Sequence, residues 1–156
     1  HFRTLAQTSV HYLDVGRSLI LALMAAAGLF AVVNASAAIV VYKPPAATCL
    51  GAKAGTLDLG MALNESWKKS SAAKGRILVT TAAGRPVASR VGSFASGSVT
   101  LNYAARTPGR FRISYAWFIP ADYLAKQPLR PGARAYYRVG QWQVAATFET
   151  RVRACG

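Results

Sequence analysis

From Tyr42 onward, apolar residues recur at every second position in short segments separated by turn residues, and no segment of helical length carries a helical period. That pattern restricts the chain to strands. Leu57, Leu59, Met61 and Leu63 alternate with smaller residues, then Asn64-Glu65-Ser66 and the basic, Ser/Ala-rich stretch from Lys68 to Lys74 read as a loop. Ile77 and Val79 share a face, Ala83-Gly84-Arg85-Pro86 turns the chain into Val87 to Val91, and Gly92 to Gly97 is a second connector. Val99, Leu101 and Tyr103 point one way, as do Phe111, Ile113, Tyr115 and Trp117 after them. Between these two segments Thr107-Pro108-Gly109-Arg110 predicts a type II turn, with Pro fixing φ and Gly accepting a positive φ, so a hairpin is expected. Pro120 ends that strand, Asp122 to Leu129 forms a longer connection, and Arg130-Pro131-Gly132 turns into a last long strand. There Trp142, Val144, Ala146, Phe148 and Val152 share one face, opposite Gln141, Gln143, Thr147, Glu149, Arg151 and Arg153. An all-β sandwich or barrel follows, with Trp117, Trp142, Phe111, Phe148 and Tyr103 in its core.

Ahead of this region, no charged side chain stands between Arg17 and Lys43, and Leu19 to Val33 is an unbroken apolar run. An arginine, such a run and then Asn34-Ala35-Ser36-Ala37 have the form of a secretory signal with a small-residue cleavage point. Cleavage after Ala37 leaves residues 38–156 as a soluble exported domain. Without cleavage, the uncharged stretch reaches Tyr42 and meets the roughly 20 residues of a membrane-spanning helix. Arg3 and Arg17 keep the N-terminal side cytoplasmic in both cases, although Lys43 weakens the asymmetry. The expected division is therefore 1–37 as signal peptide, membrane anchor or N-terminal hydrophobic helix, and 38–156 as one β domain.

Cys49 and Cys155 both fall on the exported side, where thiols are oxidised, so a disulfide closing the domain is expected. Strict alternation places Cys155 on the polar face of the last strand, so the strand's end or a bulge must redirect it.

Gly75-Arg76-Ile77-Leu78-Val79-Thr80-Thr81, Gly84-Arg85-Pro86-Val87-Ala88, Gly97-Ser98-Val99-Thr100-Leu101 and Thr107-Pro108-Gly109-Arg110-Phe111-Arg112-Ile113 share a grammar of turns and alternation. With the closing phrase Gly140-Gln141-Trp142-Gln143-Val144, it resembles bacterial immunoglobulin-like and carboxypeptidase-regulatory-like modules over residues 75–155. The resemblance implies a seven-stranded immunoglobulin-like antiparallel β-sandwich serving as a spacer or adhesive module, and carries over no site residues. A second resemblance, to type IV pilin-like subunits with an apolar N-terminal helix and a β-rich head, implies a filament or membrane-complex subunit that self-assembles. In those subunits the mature chain is apolar almost at once. Here it begins His1-Phe2-Arg3-Thr4 and places its first acid at Asp14.

The exported region contains no histidine, because His1 and His11 both precede the apolar run. A Ser-His-Asp or Cys-His nucleophile system is excluded there, as are imidazole ligands for zinc or copper. The two cysteines form no Cys-x-x-Cys unit, no Gly-rich loop precedes a helix, and no cofactor is implied. Asp58, Glu65, Asp122 and Glu149 are the only carboxylates available for acid–base work, and their spacing argues for no pair. The expectation is a non-enzymatic binding or structural module at the cell surface or secreted.

Charge says more. The chain carries 19 Lys and Arg against five acids, a net charge of +14, and all but Arg3 and Arg17 of its basic residues follow the apolar run. Such a field attracts nucleic acid, anionic lipid, acidic polymers or acidic protein surfaces. Arg110 and Arg112 lie opposite the Phe111 face, and Arg151 and Arg153 opposite the Trp142 face. If those strands are neighbours, four guanidiniums share one sheet face and match phosphate or carboxylate oxygens. Lys68 and Lys69 are further candidates for polyanion contact, and Trp67, Tyr136 and Tyr137 for exposed aromatic contact. Edge arginines also block strand-to-strand aggregation, which is a purely structural use of the same residues.

Overall fold

A computed structural model describes residues 31–34, 38–50 and 56–155. Its strands are β1 (Ala31–Asn34), β2 (Ile39–Lys43), β3 (Ala47–Cys49), β4 (Thr56–Leu63), β5 (Lys74–Thr81), β6 (Pro86–Ser93), β7 (Ser98–Ala104), β8 (Gly109–Phe118) and β9 (Trp142–Arg153). A short helix, α1 (Ala121–Ala125), and a 3-10 turn, Ala133–Tyr136, fill the connection from β8 to β9. The strands form a four-stranded sheet in the order β1-β2-β4-β7 and a five-stranded sheet in the order β3-β9-β8-β5-β6. The chain is thus an all-β sandwich.

Alternation places one face of each sheet in a shared core. Ile39 and Val41 from β2, Leu57, Leu59 and Met61 from β4, and Val99 from β7 are buried on one side. Ile77 and Val79 from β5, Phe111, Ile113, Tyr115 and Trp117 from β8, and Val152 from β9 close it on the other. A hydrogen bond crosses this apolar interior, from the Tyr115 hydroxyl to the Tyr42 carbonyl oxygen at 2.8 Å. Burial pushes the Tyr115 hydroxyl pKa well up, so it remains a neutral donor. Tyr42 in turn lies over Gly60, where a Cβ would run into its ring. Only glycine admits that approach.

The first sandwich strand splits at Pro44-Pro45, because two consecutive residues without an N–H cannot continue a ladder. The chain runs as β2 in the four-stranded sheet and then as β3 in the five-stranded one, parallel to β9. This split, together with β1 pairing β2 from Ala31↔Lys43 to Asn34↔Val40, gives nine strands where seven are expected. The uncharged stretch therefore does not run to Tyr42 as a helix: Ile39 to Tyr42 are buried in the sandwich, and β1 lies ahead of the predicted boundary at Ala37. Residues 1–30, with most of the predicted signal or anchor, lie outside the described residues. Among the described residues no helix is long and apolar enough to cross a membrane.

Two further expectations change. Segments 98–104 and 109–118 are not a hairpin, because β7 pairs with β4 and β8 with β5 and β9. The Thr107-Pro108-Gly109 link crosses between sheets, and Gly109 is not among the glycines with positive φ, so no type II turn forms. Tyr103 and Phe111 meet across the core with ring centroids 5.6 Å apart, edge to face. A hairpin does form two connections earlier, at the Ala83-Gly84-Arg85-Pro86 turn, where Gly84 (φ 80°) leads β5 into its antiparallel neighbour β6. In β9 a bulge intervenes: Tyr115 is opposite Ala146 but Ala116 is opposite Val144, leaving Ala145 extra. Past it the faces exchange, so Gln143 stands opposite buried Trp117, while Val144 (62% exposed) and Trp142 move to the outer face. Trp142 is not a core residue. The Arg76 guanidinium lies 4.7 Å from the centre of its indole.

Candidate basic face and end cleft

Cys49 and Cys155 form a disulfide with Cα atoms 5.4 Å apart. β9 ends at Arg153, and the two residues beyond it leave the strand's alternation, which turns Cys155 toward the end of parallel β3. Such bridges form and persist in oxidising compartments.

The structure brings the four predicted arginines together on the outer face of the five-stranded sheet. β8 and β9 are antiparallel neighbours with Arg110 opposite Arg151 and Arg112 opposite Glu149. Arg153 follows on the same face of β9, and all four arginines are exposed. The backbone sharpens the geometry. The Arg151 N–H donates to the Ala46 carbonyl, and the Arg110 carbonyl accepts from the Ala82 N–H, so both groups point away from each other. Arg110 and Arg151 are therefore a non-hydrogen-bonded pair, in which Cα atoms are about 4.5 Å apart and side chains closest. Like charges directly opposite are mutually unfavourable there. Glu149 is the one carboxylate on this face among the described residues, and it pairs with Arg112 at 3.4 Å rather than with the Arg110–Arg151 pair. An exposed ion pair of this kind contributes about 0–1 kcal/mol.

Beside that ridge the sandwich end opens into a cleft of about 660 Å³. One wall is the β5–β6 turn, with Thr81, Ala82, Ala83 and Val87; the other is the β7–β8 crossover, with Arg106, Thr107, Pro108 and Arg110. Tyr103 and Phe111, packed edge to face, also line it. Burial raises the Tyr103 pKa, so its hydroxyl stays neutral. Arg110 belongs to both the ridge and the cleft. Arg106 and this cleft were not singled out by sequence, because they depend on where two loops meet in space.

Other predicted contacts lie elsewhere. Lys68 and Lys69 are exposed, but their loop enters β5 at Lys74, which is opposite Phe118. That end is roughly 25 Å along β8 from Arg110 at the usual strand rise. Trp67 is not an exposed contact: it is 6% exposed and plugs that far end against Trp117, Tyr123 and Tyr137. Tyr137 is half-buried in the same cluster, whereas Tyr136 is 80% exposed on the 3-10 turn. The four carboxylates are all exposed and stand on different elements: Asp58 on β4, Glu65 in the loop after it, Asp122 on α1 and Glu149 on β9. No group of three or more His, Cys, Asp or Glu residues suited to a metal occurs among the described residues.

The Tyr123 hydroxyl is buried without a hydrogen-bond partner among the described residues, and burial pushes its pKa up to about 12. Tyr123→Phe is expected to raise stability by about 1 kcal/mol in thermal or urea unfolding, since the orphaned hydroxyl is removed while the ring stays. Loss of stability on that substitution would mean that the hydroxyl has a partner. The folded pKa exceeds the ordinary value of 10.0, so the group's contribution is intact below pH 10 and is lost as pH rises toward 12. Wild-type stability should fall over that alkaline range more steeply than that of Tyr123→Phe.

No family model, no curated protein and no solved structure matches this chain.

Proposed function

We propose that this chain is an exported, non-enzymatic binding module of the immunoglobulin-like type, which holds an anionic polymer against the outer face of its five-stranded sheet. The observation that carries the binding reading is the Arg110–Arg151 pair, two exposed guanidiniums directly opposite each other with no carboxylate between them. An anion bridging them relieves their repulsion and uses donors already held side by side. Arg153 extends the row along β9, and the surplus of basic residues supplies a long-range attraction. The immunoglobulin-like reading draws support from strand order, with β2, β4 and β7 in the places of strands A, B and E, and β5, β8 and β9 in those of C, F and G. Its disulfide joins neighbours in one sheet instead of crossing between sheets as in antibody domains. The exported reading rests on the disulfide and on the apolar run. The non-enzymatic reading is supported by four carboxylates spread over four elements.

Retention of the full chain on immobilised heparin, eluted with rising salt, tests the binding reading. The Arg110→Ala/Arg151→Ala/Arg153→Ala variant is expected to elute at clearly lower salt than wild type. A Lys68→Ala/Lys69→Ala variant, which removes charge from the far end, is expected to shift much less. Shifts in proportion to the charges removed, three against two, would mean that net charge, not this face, sets the retention.

A further inference from the structure

We propose that the cleft between the β5–β6 turn and the β7–β8 crossover is a separate subsite that takes the acidic end sugar of a glycan, a carboxylate or phosphate monoester carried on a pyranose ring. The proposal rests on the polyanion reading of the neighbouring face and gives it a ligand class. Three features of the cleft select that chemistry. Its volume, about 660 Å³, is in the range of small-ligand sites and exceeds what a bare anion fills. Arg106 and Arg110 line it and no carboxylate does, so the site has two cations to neutralise and suits an acidic ligand. Guanidinium forks hold a carboxylate or phosphate through paired hydrogen bonds. The remaining lining is apolar or hydroxylic, with the half-buried Tyr103 ring as its aromatic surface, Phe111 buried behind it, and Thr81 and Thr107 as hydroxyls. An aromatic surface next to hydroxyl donors fits a sugar, whose C–H face packs on rings while its hydroxyls exchange hydrogen bonds. Because Arg110 also forms half of the outer-face pair, a polymer lying along β8 and β9 can place its terminal residue in the cleft without leaving the arginine row.

The test is calorimetric or NMR titration of the full chain with glucuronate, glucose 6-phosphate, glucose and inorganic phosphate. Glucuronate or glucose 6-phosphate is expected to bind at least tenfold more tightly than either glucose or inorganic phosphate, and which of the two acids binds better identifies the source of the charge. Arg106→Ala is expected to weaken that binding at least tenfold, and Arg106→Lys to restore only part of it, because the charge returns without the fork. Arg106 is exposed on a crossover, so neither variant threatens folding. Equal binding of glucose, equal binding of inorganic phosphate, or indifference to Arg106→Ala overturns the subsite, as does tighter binding of a single-stranded oligonucleotide than of either acidic sugar. If the titration fails while the outer-face variants still lose heparin retention, only the subsite is lost. If acidic sugars bind while heparin retention ignores Arg151 and Arg153, the polymer face is lost instead.

Discussion

Replacing Cys49 and Cys155 together by serine is expected to lower the free energy of unfolding by about 4 to 5 kcal/mol and the melting temperature by about 15 °C. The bridge spans a sequence separation of 106, and in the chain-entropy model its stabilisation grows with the loop closed. It also acts where the sheet is weakest. β3 is a three-residue edge strand, held in parallel register by pairs from Ala47↔Arg151 to Cys49↔Arg153. The Leu50 N–H to Arg153 carbonyl bond and the Thr150 hydroxyl to Pro45 carbonyl bond add to it. Without the covalent tie those few bonds must order the strand alone. A small domain has only about 5 to 15 kcal/mol in total, so the loss is a large share. Urea unfolding of the oxidised wild type and the double variant measures it, and a difference below about 1 kcal/mol would show that the unfolded chain gains little from release of the bridge.

Trp117→Ala should cost a similar amount, about 3 to 5 kcal/mol, for a different physical reason. Its indole is almost fully buried, with ring centroids 5.6 Å from Trp67 and 5.9 Å from Tyr137, both edge to face. Trp67 and Tyr137 also meet edge to face at 5.2 Å, and Tyr123 adds a fourth ring 6.0 Å from Trp67. Removing the Trp117 ring opens a void between the far ends of the two sheets that the backbones of β5 and β9, hydrogen-bonded to β8 on either side, cannot close. The same substitution at Trp142, which lies on the outer face under the Arg76 guanidinium, should cost far less. Equal losses at the two tryptophans in denaturant titrations would contradict the exchange of faces at the β9 bulge.

That contrast marks what the sequence could express. Alternation located most strands, because a strand half-buried in a sandwich imposes its period on the residues themselves. It failed at Ala145, since an inserted residue leaves no local signal when Ala and Val stand on both sides of it. It also could not tell a hairpin from a crossover at Thr107-Pro108-Gly109. Both need a bend there, and only the partners of β7 and β8 decide which sheet each strand joins. Trp67 reads as exposed from its lysine neighbours and is buried, because the loop folds back under Gln127, whose side-chain oxygen accepts the Lys68 N–H. The arginine face was partly legible. Alternation put Arg110, Arg112, Arg151 and Arg153 outward, but that Arg110 meets Arg151 and Arg112 meets Glu149 is a matter of register. The cleft was not legible at all, since its walls are two loops that the β5–β8 pairing brings side by side.

The proposed binding face is tested most directly by the salt dependence of heparin affinity in solution. Each arginine that contacts the polymer releases bound counterions, so log K falls linearly with log salt and the slope counts the contacts. Relative to wild type, Arg110→Ala/Arg151→Ala is expected to flatten that slope by about two contacts and to weaken binding by more than tenfold at low salt. An unchanged slope in that variant, with wild-type affinity, would contradict binding at the paired arginines.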